Sequence, residues 1–269
     1  KKLCVSAAGK HEFCVMQAKL FFFAAAVIFL LNIKGMCLPS AETLAFSGMY
    51  GVFTVLAQWL YTVALGRMAV SVCAMIYSFG FIIPTVFGTV VWRENVGFFK
   101  IFSVLFCIVT IVLSSVSSGE NSKKTDFRAV LPLIISMAAS GGLGVVQKLQ
   151  QKSACSSQTG IFLFAAFLLA GVISVIAAIT VKKAPVPPPK NNAESYISVL
   201  IVGAAMAAAN TANTLLAGRL PSVIAFPVTN VGVILASLLV STLFLGEKIT
   251  KKQVAAVCTG ITAVIMFNF

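Results

Sequence analysis

Acidic residues are scarce in this chain: its 269 residues include 7 Asp and Glu against 20 Lys and Arg, and charged residues make up only 10% of the total. A soluble globule of this length covers its surface with about a quarter charged residues, so most of this chain has a solvent other than water. Histidine is nearly absent. His11 is alone, flanked by Lys10 and Glu12, with no second His, Cys or carboxylate at ligand spacing, which leaves neither a metal site nor a catalytic dyad. The seven cysteines (Cys4, Cys14, Cys37, Cys73, Cys107, Cys155 and Cys258) are odd in number, scattered and never arranged C-x-x-C. That distribution excludes a disulfide framework and reads as small buried hydrophobes. No apolar stretch offers a nucleophile–base pair or clustered His and carboxylates, so neither an enzyme nor a cofactor is expected.

What the chain has in abundance is apolar length, with 59% hydrophobic residues and a mean hydropathy of +1.01. A bilayer core about 30 Å thick needs about 20 apolar residues per helical crossing. Nine segments qualify: 14–32, 42–65, 69–92, 97–117, 128–147, 158–181, 196–217, 221–245 and 252–269. The alternating pattern of a transmembrane barrel is absent. The fold class is therefore all-α, a polytopic membrane helical bundle. The formal net charge of +13 falls almost wholly in the short gaps between segments, where it sets topology and meets lipid headgroups, so no nucleic-acid partner is expected.

An internal repeat organises these segments. Gly66-Arg67 follows the second and Gly218-Arg219 the seventh; each half then runs one long helix into a turn bearing an acid, Trp92-Arg93-Glu94-Asn95 and Leu245-Gly246-Glu247-Lys248. The spacing is 28 residues from Gly66 to Glu94 and 29 from Gly218 to Glu247. Lys2-Leu3 precedes the first segment as Lys148-Leu149 precedes the sixth. That register predicts a tenth helix ahead of the first segment. Two five-helix halves would cross the membrane in opposite senses, as inverted repeats, with a binding site at their interface.

The long helix ending in an apolar-apolar-x-Glu turn (Val90-Val91-Trp92-Arg93-Glu94 and Leu243-Phe244-Leu245-Gly246-Glu247), with a final apolar helix after it in each half, resembles the EamA-type repeat of the drug/metabolite transporter superfamily. The resemblance covers essentially the whole chain and implies a first repeat at 1–118 lacking its first helix, a connecting loop at 119–127 and a second repeat at 128–269. It also implies that the first, third and fourth helices of each half line a central cavity. Alternation along the chain assigns 14 basic residues to one membrane face and 6 to the other, which puts the N-terminal stretch in the cytoplasm. The resemblance implies the opposite orientation.

No Asp, Glu, Lys or Arg lies near the middle of any apolar segment. This argues against both a proton-coupled cation exporter and an exchanger of anionic solutes, since each relies on a charge at depth. Glu94 and Glu247 are expected in the first turn of the helix that follows each, where a carboxylate favours the positive dipole end. Uncharged polar residues remain as site candidates. A 152-residue offset pairs Gln58 with Asn210 and Tyr61 with Asn213, and a one-residue slip pairs Tyr77 with Asn230. Such groups either line a wet cavity or bind helices together through hydrogen bonds. Pro84 and Pro227 should kink their helices and free the carbonyls of Gly80 and Val223. Ser136, Ser140, Gly141, Gly142 and Gly144 form a small-residue face on the fifth segment.

The expected function is secondary transport of a small neutral or zwitterionic polar metabolite by alternating access, in a multi-pass protein of the cell membrane. Membrane lipid and a small-molecule solute are the expected partners, with a homodimer left open. The alternative is a structural or lipid-scrambling membrane protein without a solute site.

Overall fold

The computed structural model describes residues 10–68, 70–94, 97–116, 130–181, 192–245 and 251–266; the loop 119–127, the Pro185–Pro189 stretch and Glu247 lie outside them. Ten helices follow in order: α1 (Lys10–Leu31), α2 (Ala41–Leu65), α3 (Val70–Ser78), α4 (Ile82–Val91), α5 (Phe98–Val116), α6 (Val130–Lys152), α7 (Thr159–Thr180), α8 (Asn192–Arg219), α9 (Ser222–Leu245) and α10 (Lys251–Met266). No strand occurs among the described residues. A 3-10 turn, Phe79–Phe81, joins α3 to α4, so these ten helices account for the nine expected segments. Six of the segments are long and apolar enough to cross a bilayer, and α5, α9 and α10 carry shorter apolar stretches among the described residues. The molecule is an all-α polytopic bundle.

Helix boundaries follow local chemistry. Ser40 caps α2 by accepting the Thr43 N–H at 3.1 Å, one of the donors that a helix start leaves without a partner. The fifth segment runs past its expected end at Gln147 to Lys152, because Gln150 and Gln151 find buried partners in Cys155 and Thr159 and have no need of water. The two prolines behave differently. Pro84 removes the bond to Gly80, and the backbone around Gly80 tightens into the 3-10 turn. Pro227, in contrast, sits inside a continuous α9.

The chain forms two compact units, the first from residues 1–56 and 146–218 and the second from 57–145 and 219–269. In the first, α1 lies along α7. Gly171 meets the Phe22 ring there, and Phe21, Phe162 and Phe167 are fully buried. Tyr50 of α2 packs edge-on against Phe162, with ring centroids 5.3 Å apart. In the second unit α5 pairs with α10 and α4 with α9. Small residues set these distances, since lipid tails leave helix association to close van der Waals contact.

The small-residue face of α6 shows how close that contact becomes. A Cβ at Gly80 would lie 2.8 Å from the Met137 carbonyl, one at Gly141 2.6 Å from the Gly80 carbonyl, and one at Gly144 2.9 Å from Pro84. Ser136 is fully buried and donates to the Ala57 carbonyl at 2.6 Å. This face is therefore a helix-packing surface. Gly141→Ala should destabilise the protein by about 1–3 kcal/mol, because backbone atoms cannot yield as side chains do. Gly232→Ala, where nothing lies within 4 Å, should be neutral or gain up to about 1 kcal/mol from helix propensity. Thermal unfolding of the two purified variants in one detergent checks the contrast.

Candidate functional site

Four of the six candidate polar residues belong to the second unit. Gln58 and Tyr61 lie one turn apart on α2, Tyr77 is near the end of α3, and Asn230 is on α9; all four are half-buried. Tyr61 and Tyr77 come together, ring centroids 4.8 Å apart at an interplanar angle of 51°. Tyr61 also packs on the buried cluster of Ala64, Met68, Cys73 and Leu133. The Tyr77 hydroxyl lies near Ser140 of α6. Asn230 donates through Nδ2 to the Phe226 carbonyl one turn earlier, at 3.0 Å. Tyr77 stands in the first third of the Val72–Val91 span, two residues before the Phe79–Phe81 turn that lies near its centre. Irregular backbone at membrane depth is tolerated where it is buried in protein or lines a cavity.

Asn210 and Asn213 belong to the first unit, on α8. Asn213 is half-buried. Asn210 is committed to neighbouring helices and to its own: Oδ1 accepts the Tyr50 hydroxyl at 2.5 Å and Nδ2 donates to the Met206 carbonyl at 2.8 Å. Gln147 Nε2 of α6 donates to the Tyr50 oxygen at 3.1 Å and to Thr214 Oγ1 at 3.0 Å. Tyr50, Gln147 and Thr214 are at most 4% exposed. This network ties α2, α6 and α8 together in a medium where an unmet polar group is costly. A search for repeat-related pairs passes over it, because Tyr50 looks like one more aromatic in an apolar run and Gln147 falls at the expected helix end. The legible signal was a Gln three residues before another Gln on one apolar helix.

Glu94 is the second departure from expectation. It precedes α5, outside that helix's first turn, and caps a different one. Its carboxylate accepts the Ser222 N–H at 2.6 Å and the Ser222 hydroxyl at 3.3 Å, at the start of α9. The physics is the one anticipated, a carboxylate at the positive end of a helix, but the partner lies 128 residues away. Gly88 makes the approach feasible, since a Cβ there would collide with Ser222 and lie 2.8 Å from Glu94 Oε2. Two further buried polar groups were unexpected. Lys148, counted with the loop cations, is 2% exposed within α6, and Gln17 is 5% exposed on α1, where its Oε1 meets no partner among the described residues.

The Tyr50 network yields a test of what Asn210 does. Tyr50→Phe removes a hydroxyl that serves both amides and should cost about 1–3 kcal/mol, the penalty of leaving buried polar groups unmet. In a double-mutant cycle with Asn210→Leu the two changes should couple by about 0.5 kcal/mol or more, as contacting residues do. Reversible unfolding in mixed micelles measures both quantities.

Comparison with known proteins agrees with this architecture. The sequence model of the EamA-like transporter family matches residues 127–269, just over half of the chain. A solved structure described only as the crystal structure of a protein is 12% identical and superposes with a TM-score of 0.80, covering 99% of this chain and 91% of that one. At that identity the likeness concerns the fold alone. The comparison with curated proteins finds no match. A helical bundle of membrane-spanning length, the repeated apolar-apolar-x-Glu turn and the match across its second half together place this chain in the EamA-like transporter family.

Proposed function

We propose that this protein is a secondary transporter moving a small neutral or zwitterionic polar metabolite across the cell membrane by alternating access. In this reading its two halves are inverted repeats, spanning 1–118 and 128–269. Gln58, Tyr61, Tyr77 and Asn230, all of the second unit, contact the solute, the tyrosines as an aromatic wall and the amides as donors and acceptors. Membrane lipid is its surroundings, and a homodimer is compatible with the bundle. The observation that carries the reading is a local tightening of the third crossing: α3 passes into α4 through a 3-10 turn at Phe79–Phe81, beside the paired Tyr77 and Tyr61 rings. Irregular helices near mid-membrane are where transporters place their sites; the Gly80 carbonyl is packed on Gly141, which leaves side chains to meet the solute in this reading.

The solute class follows from charge. Away from their first and last turns the six spans carry only Lys19 and Lys148 among the described residues; Lys19 is exposed and Lys148 lies four residues from the end of α6, whereas an ionic solute held at depth would need a charge facing it. The alternative reading, a structural or lipid-scrambling protein, draws on Asn210 and Asn230, whose amides donate to carbonyls of their own helices. Flux separates the two. In proteoliposomes loaded with a panel of small neutral and zwitterionic solutes, the protein should exchange at least one of them. Tyr77→Phe, Gln58→Ala and Asn230→Ala should each lower that flux about tenfold or more, the loss expected when a site's polar partner goes missing, while folded protein is retained. Phospholipid flip-flop without solute exchange, unchanged in these variants, would establish the alternative.

A further inference from the structure

Arg93 is the one non-glycine residue with positive φ among the described residues, at 50°. A Cβ in this left-handed region crowds the neighbouring carbonyl, and glycine would relax it. Strained turns persist where surrounding bonds over-determine them, and this one is held on both sides. The Trp92 and Glu94 N–H groups both donate to the Gly88 carbonyl, at 3.2 and 3.4 Å. The Glu94 carboxylate then takes the backbone and hydroxyl donors of Ser222, itself fully buried. Gly88 leaves no room between them. One turn further into the bundle, Pro84 of α4 and Phe226 of α9 both press on Gly144, so α4 and α9 run antiparallel and their clasped ends meet tightly.

We propose that Gly88, Glu94 and Ser222 form a strained clasp that opens and closes one end of the solute path, with Arg93 as the spring working against the two Glu94 bonds. The inference rests on the transport reading, because α3–α4 and α9 carry Tyr77 and Asn230. Strain at one left-handed residue and the loss of one helix cap are of the same order, so the closed state is held without being locked. Glu94 is thus a positioning residue, acting on solute only through the ends of α4 and α9. The signature turn of the family acquires a specific task here: it joins a helix of the first repeat to one of the second.

Hydrogen exchange of the full chain in lipid nanodiscs, read by mass spectrometry, tests the clasp. Glu94→Gln should speed exchange at the amides of Ser222, Ile224 and Ala225 by about fivefold, the population change that a lost cap produces, and leave α7 unchanged. Gly88→Ala should do the same without altering any charge, by wedging Ser222 away. Arg93→Gly should act in the other direction, slowing exchange at those amides, and because it relieves strain it also guards against variants that merely fold poorly. Equal acceleration in α7 and α9, no change at Ser222 in Glu94→Gln, or faster exchange in Arg93→Gly would overturn the clasp. So would altered exchange with turnover per folded molecule identical in all three variants. Exchange is read with no solute present, so a protein that carries no solute at all defeats the transport reading, while the amides of α9 still decide whether the clasp exists.

Discussion

A peptide group inside a bilayer has no water to turn to, so every N–H and C=O at membrane depth must find its partner within the protein. That constraint makes the crossings helical, and it governs each place where a helix starts, tightens or stops. Ser40 serves the first turn of α2 and Glu94 the first residue of α9. Pro84 deprives Gly80 of its helical donor, and the chain answers with a 3-10 turn whose carbonyl is pressed against Gly141. Threonine hydroxyls also turn back onto their own helices, as Thr54 does to Tyr50 and Thr85 to Phe81.

The same constraint explains the division of labour among polar residues. Where both ends of an amide are engaged, as in Asn210 with Tyr50 and Met206, the group holds helices in register. Tyr61 and Tyr77 are half-buried and pack ring against ring beside the 3-10 turn. Small residues do the remaining work of packing. Gly80, Gly141 and Gly144 permit helix axes to approach until backbone touches backbone, an arrangement that dispersion alone can stabilise when lipid competes equally for apolar side chains.

The helices were legible in the sequence because a crossing is defined by length and apolarity, two properties that survive without tertiary information. Even the third crossing, interrupted by Pro84, kept its outer limits to within a few residues. The family was legible through Glu94 and its turn, though the role of that turn was not. A carboxylate near a helix start looks like a local cap, and nothing in the order of residues says that the helix it serves begins 128 positions later. The Tyr61–Tyr77 contact was anticipated only as membership of one site, by repeat symmetry. Gln147, Tyr50 and Lys148 were not anticipated at all, since burial of a polar residue near a helix end depends on which neighbours the fold brings there.

The central claim is that solute binds beside the 3-10 turn of the third crossing. Its most direct test is a structure of the chain, in nanodiscs, determined with and without a solute that it demonstrably exchanges. The account predicts solute density in contact with Tyr77 and at least one of Gln58, Tyr61 and Asn230, next to Phe79–Phe81. Density lodged elsewhere, with those side chains packed against protein in both structures, would contradict it.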